Sequence, residues 1–279
     1  MRSLYDCLRS YNFVPSAPVR VAIDIVNARR ERLRELIRVD GFLPVAEICR
    51  RLEISEATAR RDLAVIAGEG HITRTRGGAL ADYNASFESL AQRTQRARRP
   101  KEKIAVAALA LLPPKGTIFL DAGTTILAVA RALGRKRGAA AGLTFVTNNL
   151  SVATVLGTNE DIDLHVLGGT FLRRQAALLG GDAVRALSNW HFDVALLGGE
   201  GMDADGVSNS HPEIAAFQKT VCERTPKTFF CLDATKLGRT TPHRVARWGE
   251  FAGLITDAPA KQFAAAGIKI PSRQLLHAS

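Results

Sequence analysis

Ser55-Glu56-Ala57-Thr58-Ala59-Arg60-Arg61-Asp62-Leu63 decides how the first third of the chain is read. Ser55 is suited to cap a helix by accepting a backbone N–H, and Glu56, just inside, favours the positive end of the helix dipole. At about 100° per residue, Ala59, Leu63 and Ile66 gather on one side while Ala57, Thr58 and Arg61 point away. The outward face is small near its start, then polar and cationic. A helix that enters the DNA major groove needs that order, close approach first and groups reaching base edges next. Ser55, Ala57, Thr58 and Arg61 are therefore candidate base-side contacts, and Arg60, on the flank, a candidate phosphate contact.

Working outward, a helix is expected from Arg29, with Leu33, Leu36 and Ile37 on one face, ending at Asp40 and Gly41. Pro44 suits the first turn of a second helix, in which Val45, Ile48, Cys49 and Leu52 recur at i, i+3, i+4 and i+7. Gly68 and Gly70 stop the recognition helix. His71 to Arg76, then Gly77 and Gly78, read as a hairpin or wing, with Arg74, Arg76 and Gly77 placed to follow the DNA backbone or enter the minor groove. Three short helices and a wing make a small N-terminal winged helix-turn-helix domain at residues 29–80. Residues 1–28 hold two prolines and no sustained hydrophobic period, and form an extension.

Composition agrees with a polyanionic partner: the formal charge is +11 and the pI about 10.0. The excess is concentrated early, in Arg29, Arg30, Arg32, Arg34, Arg38, Arg60, Arg61, Arg74 and Arg76 and in the stretch from Arg93 to Lys103. At 279 residues and 46% apolar, two cores are expected. Cys7, Cys49, Cys222 and Cys231 form no CxxC pair and have no histidine at zinc-ligand spacing, so reduced thiols and no metal are expected. With no membrane-length apolar run and no signal-peptide order at the start, a cytoplasmic protein without a membrane partner is expected.

Residues 81–103 read as a polar, basic connector in which Pro100 blocks any helix continuing from Phe87. Beyond it, Ile104, Ala107, Ala108 and Leu111 form a helical stripe closed by Pro113 and Pro114. Strands are then expected at 117–120, 143–147, 162–167, 192–197, 227–232 and 253–256. They are mostly apolar runs, as in strands buried on both faces, so residues 104–258 are expected to form an α/β domain with a mostly parallel sheet, and 259–279 a tail.

After the first of these strands comes Asp121-Ala122-Gly123-Thr124-Thr125. A strand, a glycine turn and hydroxyls at a helix N-terminus cradle an anion through free N–H groups, so Gly123, Thr124 and Thr125 are candidate phosphate contacts. Asp121 would repel a phosphate and is assigned to a sugar hydroxyl or to bracing the loop. Ligands of open parallel sheets bind beyond the strand carboxyl ends. Thr147, Asn148, Gly168, Gly169 and Glu200 fall there, and Lys236 and Glu213 add a cation and a hydroxyl acceptor.

The motifs together resemble the DeoR family of bacterial transcriptional regulators over about residues 29–257. Ser55–Leu63 and the Arg76–Ala79 RGGA resemble its helix-turn-helix and wing, and the DAGTT at Asp121, TNN at Thr147, LGG at Leu167 and DATK at Asp233 resemble its sensor patterns. Ala59 stands where the family usually has a larger aliphatic residue, Gly68 where it has an acidic or polar one, and Glu200 where it has a small one. The resemblance implies a ribose 5-phosphate isomerase-like fold, a phosphorylated-sugar effector, and repression of carbohydrate genes that the effector relieves. A homodimer or homotetramer on double-stranded operator DNA is expected, because one small head covers few base pairs. The alternative is a sugar-phosphate isomerase fused to a DNA-binding head, with Glu213 or Asp203 as base and Lys236 as electrophile. No catalytic site and no cofactor are expected: the GxGxxA at Gly199, Gly201 and Ala204 runs into Asp203, Asp205 and Gly206, a turn where a dinucleotide fingerprint needs a helix.

Overall fold

The computed structural model describes residues 23–40, 42–69, 72–74, 78–81, 90–135, 138 and 140–278. Residues 1–22, Gly70, His71, Arg76, Gly77 and Phe87 lie outside them, as does the side chain of Arg74.

The head begins with α1 (Ile23–Asp40), six residues ahead of the expected start at Arg29, and continues through β1 (Phe42–Pro44), α2 (Val45–Leu52), α3 (Glu56–Gly68), β2 (Ile72–Arg74) and β3 (Gly78–Ala81). Its core is Leu33, Ile37, Leu43, Val45, Ile48, Ala59, Leu63, Ile66, Ile72 and Ala79, all buried and shared by no residue of the second domain. Pro44 sits at the N-cap of α2 in extended backbone. The three residues before α2 were not expected to be a strand. They pair antiparallel with β3, which also pairs with β2, in the order β1-β3-β2. Gly78 permits that pairing: a Cβ there would stand 2.4 Å from the Leu43 carbonyl oxygen.

The helices α4 (Leu90–Gln95) and α5 (Arg98–Leu109) occupy much of the expected connector and pack on α6 (Thr124–Arg135). Pro100 does not prevent α5. It lies in the first helical turn, where its missing N–H would have had no partner, and Ala97 at φ 50° sets the entry.

Then follow β4 (Gly116–Leu120), α6, β5 (Leu143–Thr147), α7 (Leu150–Leu156), β6 (Asp163–Val166), the hairpin β7 (Thr170–Leu172) and β8 (Ala177–Leu179), α8 (Gly181–Ala186) and β9 (Val194–Leu197). A second antiparallel unit, β10 (Gly201–Asp203), β11 (Gly206–Asn209) and β13 (His243–Arg247), brackets α9 (Pro212–Arg224) and β12 (Thr228–Cys231). The chain closes with β14 (Gly253–Thr256), α10 (Ala260–Ala265) and β15 (Leu275–His277).

Seven strands form one parallel sheet, ordered β15-β14-β12-β9-β4-β5-β6. Each expected strand is present to within two residues, and VALL at 194–197 and GLIT at 253–256 are buried throughout, as apolar runs between two helical layers should be. Two expectations change. The edge strand β6 is mostly exposed. Residues after 258 are not a tail, because β15 joins the sheet beside β14. From β4 the chain proceeds to β5 and β6 on one side, then returns to place β9 and β12 on the other, so a topological switch point falls between β4 and β9.

Candidate functional site

On the head, Ser55 caps α3 as expected. Its hydroxyl accepts from Thr58 N at 3.3 Å and lies 3.0 Å from the Thr58 hydroxyl. Ser55, Ala57, Arg60 and Arg61 are exposed and Thr58 half-buried, so the expected face is presented outward. Arg60 leans back on Glu56, Nε to carboxylate 2.8 Å, along the helix flank. Asp62, which the sequence reading left without a role, is 1% exposed and accepts from Arg29 Nε at 2.7 Å and Arg30 Nε at 3.0 Å. Two early arginines thus fasten α1 to α3. Removing either partner of such a buried pair leaves an uncompensated charge, which costs about 3–5 kcal/mol.

In the second domain a cleft opens at the switch point. Its lining includes Gly123, Thr124 and Thr125 after β4, Gly198, Gly199 and Glu200 after β9, and Asp233, Thr235 and Lys236 after β12. Gly123 adopts φ 112°, a conformation that side chains rarely take, with no atom near a would-be Cβ, and its carbonyl starts α6 by accepting from Leu127 N at 2.9 Å. Gly123, Thr124 and Thr125 thus bring the start of α6 to the cleft. Asp233 caps the short turn Ala234–Lys236 by accepting from Thr235 N at 3.0 Å, which carries Lys236 to the cleft.

Asp121 lies beneath the cleft and does not line it. It is 1% exposed, accepting from Gly198 N at 3.1 Å and Gln218 Nε2 at 2.6 Å, while Gln218 also donates to Gly198 O at 2.9 Å. Of its two expected roles, bracing is the one the geometry gives. Burial outweighs these donors and pushes the Asp121 carboxyl up to about 6. A carboxyl whose folded value exceeds its unfolded one favours the fold most at low pH and loses that contribution as pH rises through the folded value. Stability should therefore fall by about 3 kcal/mol between roughly pH 4 and pH 6 on this account, and Asp121→Asn should flatten that slope in urea unfolding followed against pH.

Thr147, Asn148, Gly168, Gly169 and Glu213, expected at the ligand, do not line the cleft. The Thr147 hydroxyl donates to Leu120 O at 2.6 Å and accepts from Asn149 N at 3.1 Å, tying β5 to β4. Asn148, fully buried, donates to Leu178 O in the neighbouring hairpin. Gly169 is needed for packing: a Cβ there would stand 2.4 Å from Leu179 O. Glu213 is exposed on α9. Asp203, the other base of the isomerase alternative, is gripped by Arg244 at 2.6 Å outside the cleft.

The sequence reading missed the opposite wall. Arg93 of α4, Arg96 of the α4–α5 turn, Lys101 of α5, Arg239, and Arg38, Val39 and Asp40 of α1 also line it. Arg239 donates to the Asp40 carbonyl, and Arg96 to the Val39 carbonyl at 3.3 Å, so the head forms part of the cleft.

The description of the DeoR C-terminal sensor domain matches residues 96–258, and that of the DeoR-like helix-turn-helix domain matches 29–84. The chain belongs to the DeoR family. It is a transcriptional regulator with a DNA-binding head and a sensor domain. The HTH-type transcriptional repressor GlcR of Bacillus subtilis is 32% identical over 224 residues, covering 80% of this chain and 85% of that one. The glycerol-3-phosphate regulon repressor of Haemophilus influenzae is 31% identical over 235 residues, 83% and 89% of the two chains. Among solved structures, ribose 5-phosphate isomerase A of Methanocaldococcus jannaschii overlaps 50% of this chain and 55% of its own at 17% identity and a TM-score of 0.39.

Within this DeoR chain two of the thiols are deeply set, Cys231 fully and Cys222 in part. Burial pushes Cys222 up to about 12 and Cys231 higher still, which leaves little thiolate for redox chemistry. Among the described residues no helix is long and apolar enough to cross a membrane. Lys236 behaves oppositely: desolvation in the cleft wall, with Arg239 beside it, brings its ammonium down to about 8.

Proposed function

We propose that this regulator is a repressor of carbohydrate genes that reads operator DNA with α3 and the β2–β3 wing, and that a phosphorylated sugar in the switch-point cleft relieves its grip. The observation that carries the reading is the cleft itself. Its lining joins the start of α6, where helix N–H groups favour a phosphate, to the end of the head's first helix. Gly123, Thr124 and Thr125 hold the phosphate, Lys236 adds charge, and Glu200, whose carboxylate accepts from Ser210 N at 3.1 Å, offers an acceptor to a sugar hydroxyl. A ligand of this kind shifts operator occupancy only through unequal affinity for the two states of the protein.

The names of the relatives support the direction: both are repressors, and one governs a glycerol-3-phosphate regulon. The chain acts as a homodimer or homotetramer on repeated half-sites, which a stoichiometric titration on duplex DNA will read as two or more chains per site.

A thermal-shift screen of the full chain with glucose 6-phosphate, fructose 1-phosphate, fructose 6-phosphate and glycerol 3-phosphate tests the ligand class. At least one should raise the melting temperature while its unphosphorylated counterpart does not. Equal shifts from both members of a pair, or from none, would refute a phosphate site. For the compound that binds, affinity should fall as pH rises past about 8, where Lys236 loses its proton, and Lys236→Met should remove that dependence. A pH-independent wild-type affinity from pH 7 to 9 would take Lys236 out of the site.

A further inference from the structure

Arg239 and Arg96 stand at the seam between the two domains, and each does two things. Both line the cleft, and both donate to backbone carbonyls at the C-terminal end of α1, Arg239 to Asp40 and Arg96 to Val39. Helix-end carbonyls have no partner within the helix, and the negative end of the helix dipole favours a guanidinium, so the two contacts are a natural latch for the head.

Asp40 transmits what happens there. Its carbonyl is held by Arg239, while its carboxylate accepts from Arg51 Nη1 of α2 at 2.6 Å. The helix α2 packs on α3, whose Asp62 is in turn clasped by Arg29 and Arg30 of α1. A change at Arg239 therefore reaches the reading helix through one residue and two helix contacts.

The cleft is also polarised. It is bounded by the positive end of the α6 dipole at Gly123–Thr125 and by the negative end of the 18-residue α1 at Val39–Asp40. An anion seated at the first is repelled by the second. A phosphate dianion takes two-pronged bonds from guanidinium groups and brings a full opposite charge that a carbonyl lacks. An anion in the cleft and the end of α1 draw on the same two guanidinium groups, and the anion is the more strongly charged acceptor.

We infer that Arg239 and Arg96 are anion-contacting residues of the sensor site, and that by exchanging the α1 carbonyls for the ligand's phosphate they make ligand binding and head docking mutually exclusive. The inference rests on the proposed sugar-phosphate site and adds its output. Binding reads out as release of α1, with the head freed from the orientation that the sensor domain imposes.

Hydrogen exchange on the full chain separates the two ideas. Inorganic phosphate, glycerol 3-phosphate, glucose 6-phosphate and fructose 1-phosphate are added in turn, with sodium chloride at matched ionic strength as control. The expected result is slower exchange across residues 122–128 together with exchange at least about threefold faster across 36–40. Protection at 122–128 with no acceleration at 36–40 would overturn the latch and leave the site standing. No protection at 122–128 by any of the four would overturn both. Arg239→Met supplies a ligand-free arm: its 36–40 segment should exchange as fast as that of the ligand-bound wild type, and addition of the protecting compound should accelerate it no further. A variant whose α1 end stays as slow as wild type would equally refute the latch.

Discussion

Arg61→Ala is expected to weaken binding of the full chain to its selected operator duplex by about 1–3 kcal/mol, roughly five- to 150-fold in dissociation constant, and to relax preference at one base position. Arg61 is exposed on the outward face of α3, in the second turn after the Ser55 cap, while the buried face carries Ala59, Leu63 and Ile66. Truncation there removes no packing, so folding stability should change by less than about 0.5 kcal/mol. Arg60→Ala offers the contrast. From the helix flank, beside Glu56, it should cost affinity evenly across sequences and lower the salt dependence by about one phosphate contact. Unchanged affinity of Arg61→Ala, measured by fluorescence anisotropy at low salt, would remove that side chain from the groove.

Thr124→Val is expected to abolish most of the response to sugar phosphate while leaving operator affinity intact. The substitution keeps the shape of the side chain at the first turn of α6 and deletes one hydroxyl donor to a charged acceptor, worth about 1.5–3 kcal/mol, or roughly ten- to 150-fold in ligand affinity. Thr124 lines the cleft, and Ser55, Ala57, Thr58 and Arg61 of α3 do not. Loss of both ligand response and DNA binding would indicate a folding defect, which the melting temperature of the free protein would reveal. A full response in Thr124→Val would put the anion elsewhere.

The parts of the protein legible in its sequence are those whose physics is local. The capping serine, the buried stripe of α3 and its outward cations depend on spacing within one helix, and all are found as expected. Apolar runs buried on two faces located the parallel strands, and the glycine between a strand and a helix marks a turn that lines the cleft. What escaped reading is set by partners far along the chain. Asp62 looks like one more charge on a polar helix until Arg29 and Arg30 close on it. Thr147 and Asn148 sit at a strand end, as ligand-binding residues do, but the Thr147 hydroxyl and the Asn148 amide nitrogen serve neighbouring backbone at Leu120 and Leu178. The strands β1 and β15 have only three residues each, too few to carry a period, and exist because β3 and β14 offer them edges. The basic wall draws on residues as far apart as Arg38 and Arg239, which no window of sequence brings together.

That wall changes how the two domains relate. A sensor built as an independent module would signal only through a connector, whereas here the end of α1 lines the pocket and Asp40 joins Arg239 to Arg51. On the proposed latch, conditional DNA binding needs no long-range rearrangement of the sheet, only a choice of acceptor for two guanidinium groups.

The most direct test is the affinity of the full chain for a duplex selected from a random-sequence library, measured with and without the sugar phosphate that most raises its melting temperature. The expected result is a dissociation constant at least about tenfold higher with the compound bound, a coupling of about 1.4 kcal/mol or more. Equal affinity in the two conditions, with the ligand shown to be bound, would contradict the claim that this protein reads DNA conditionally.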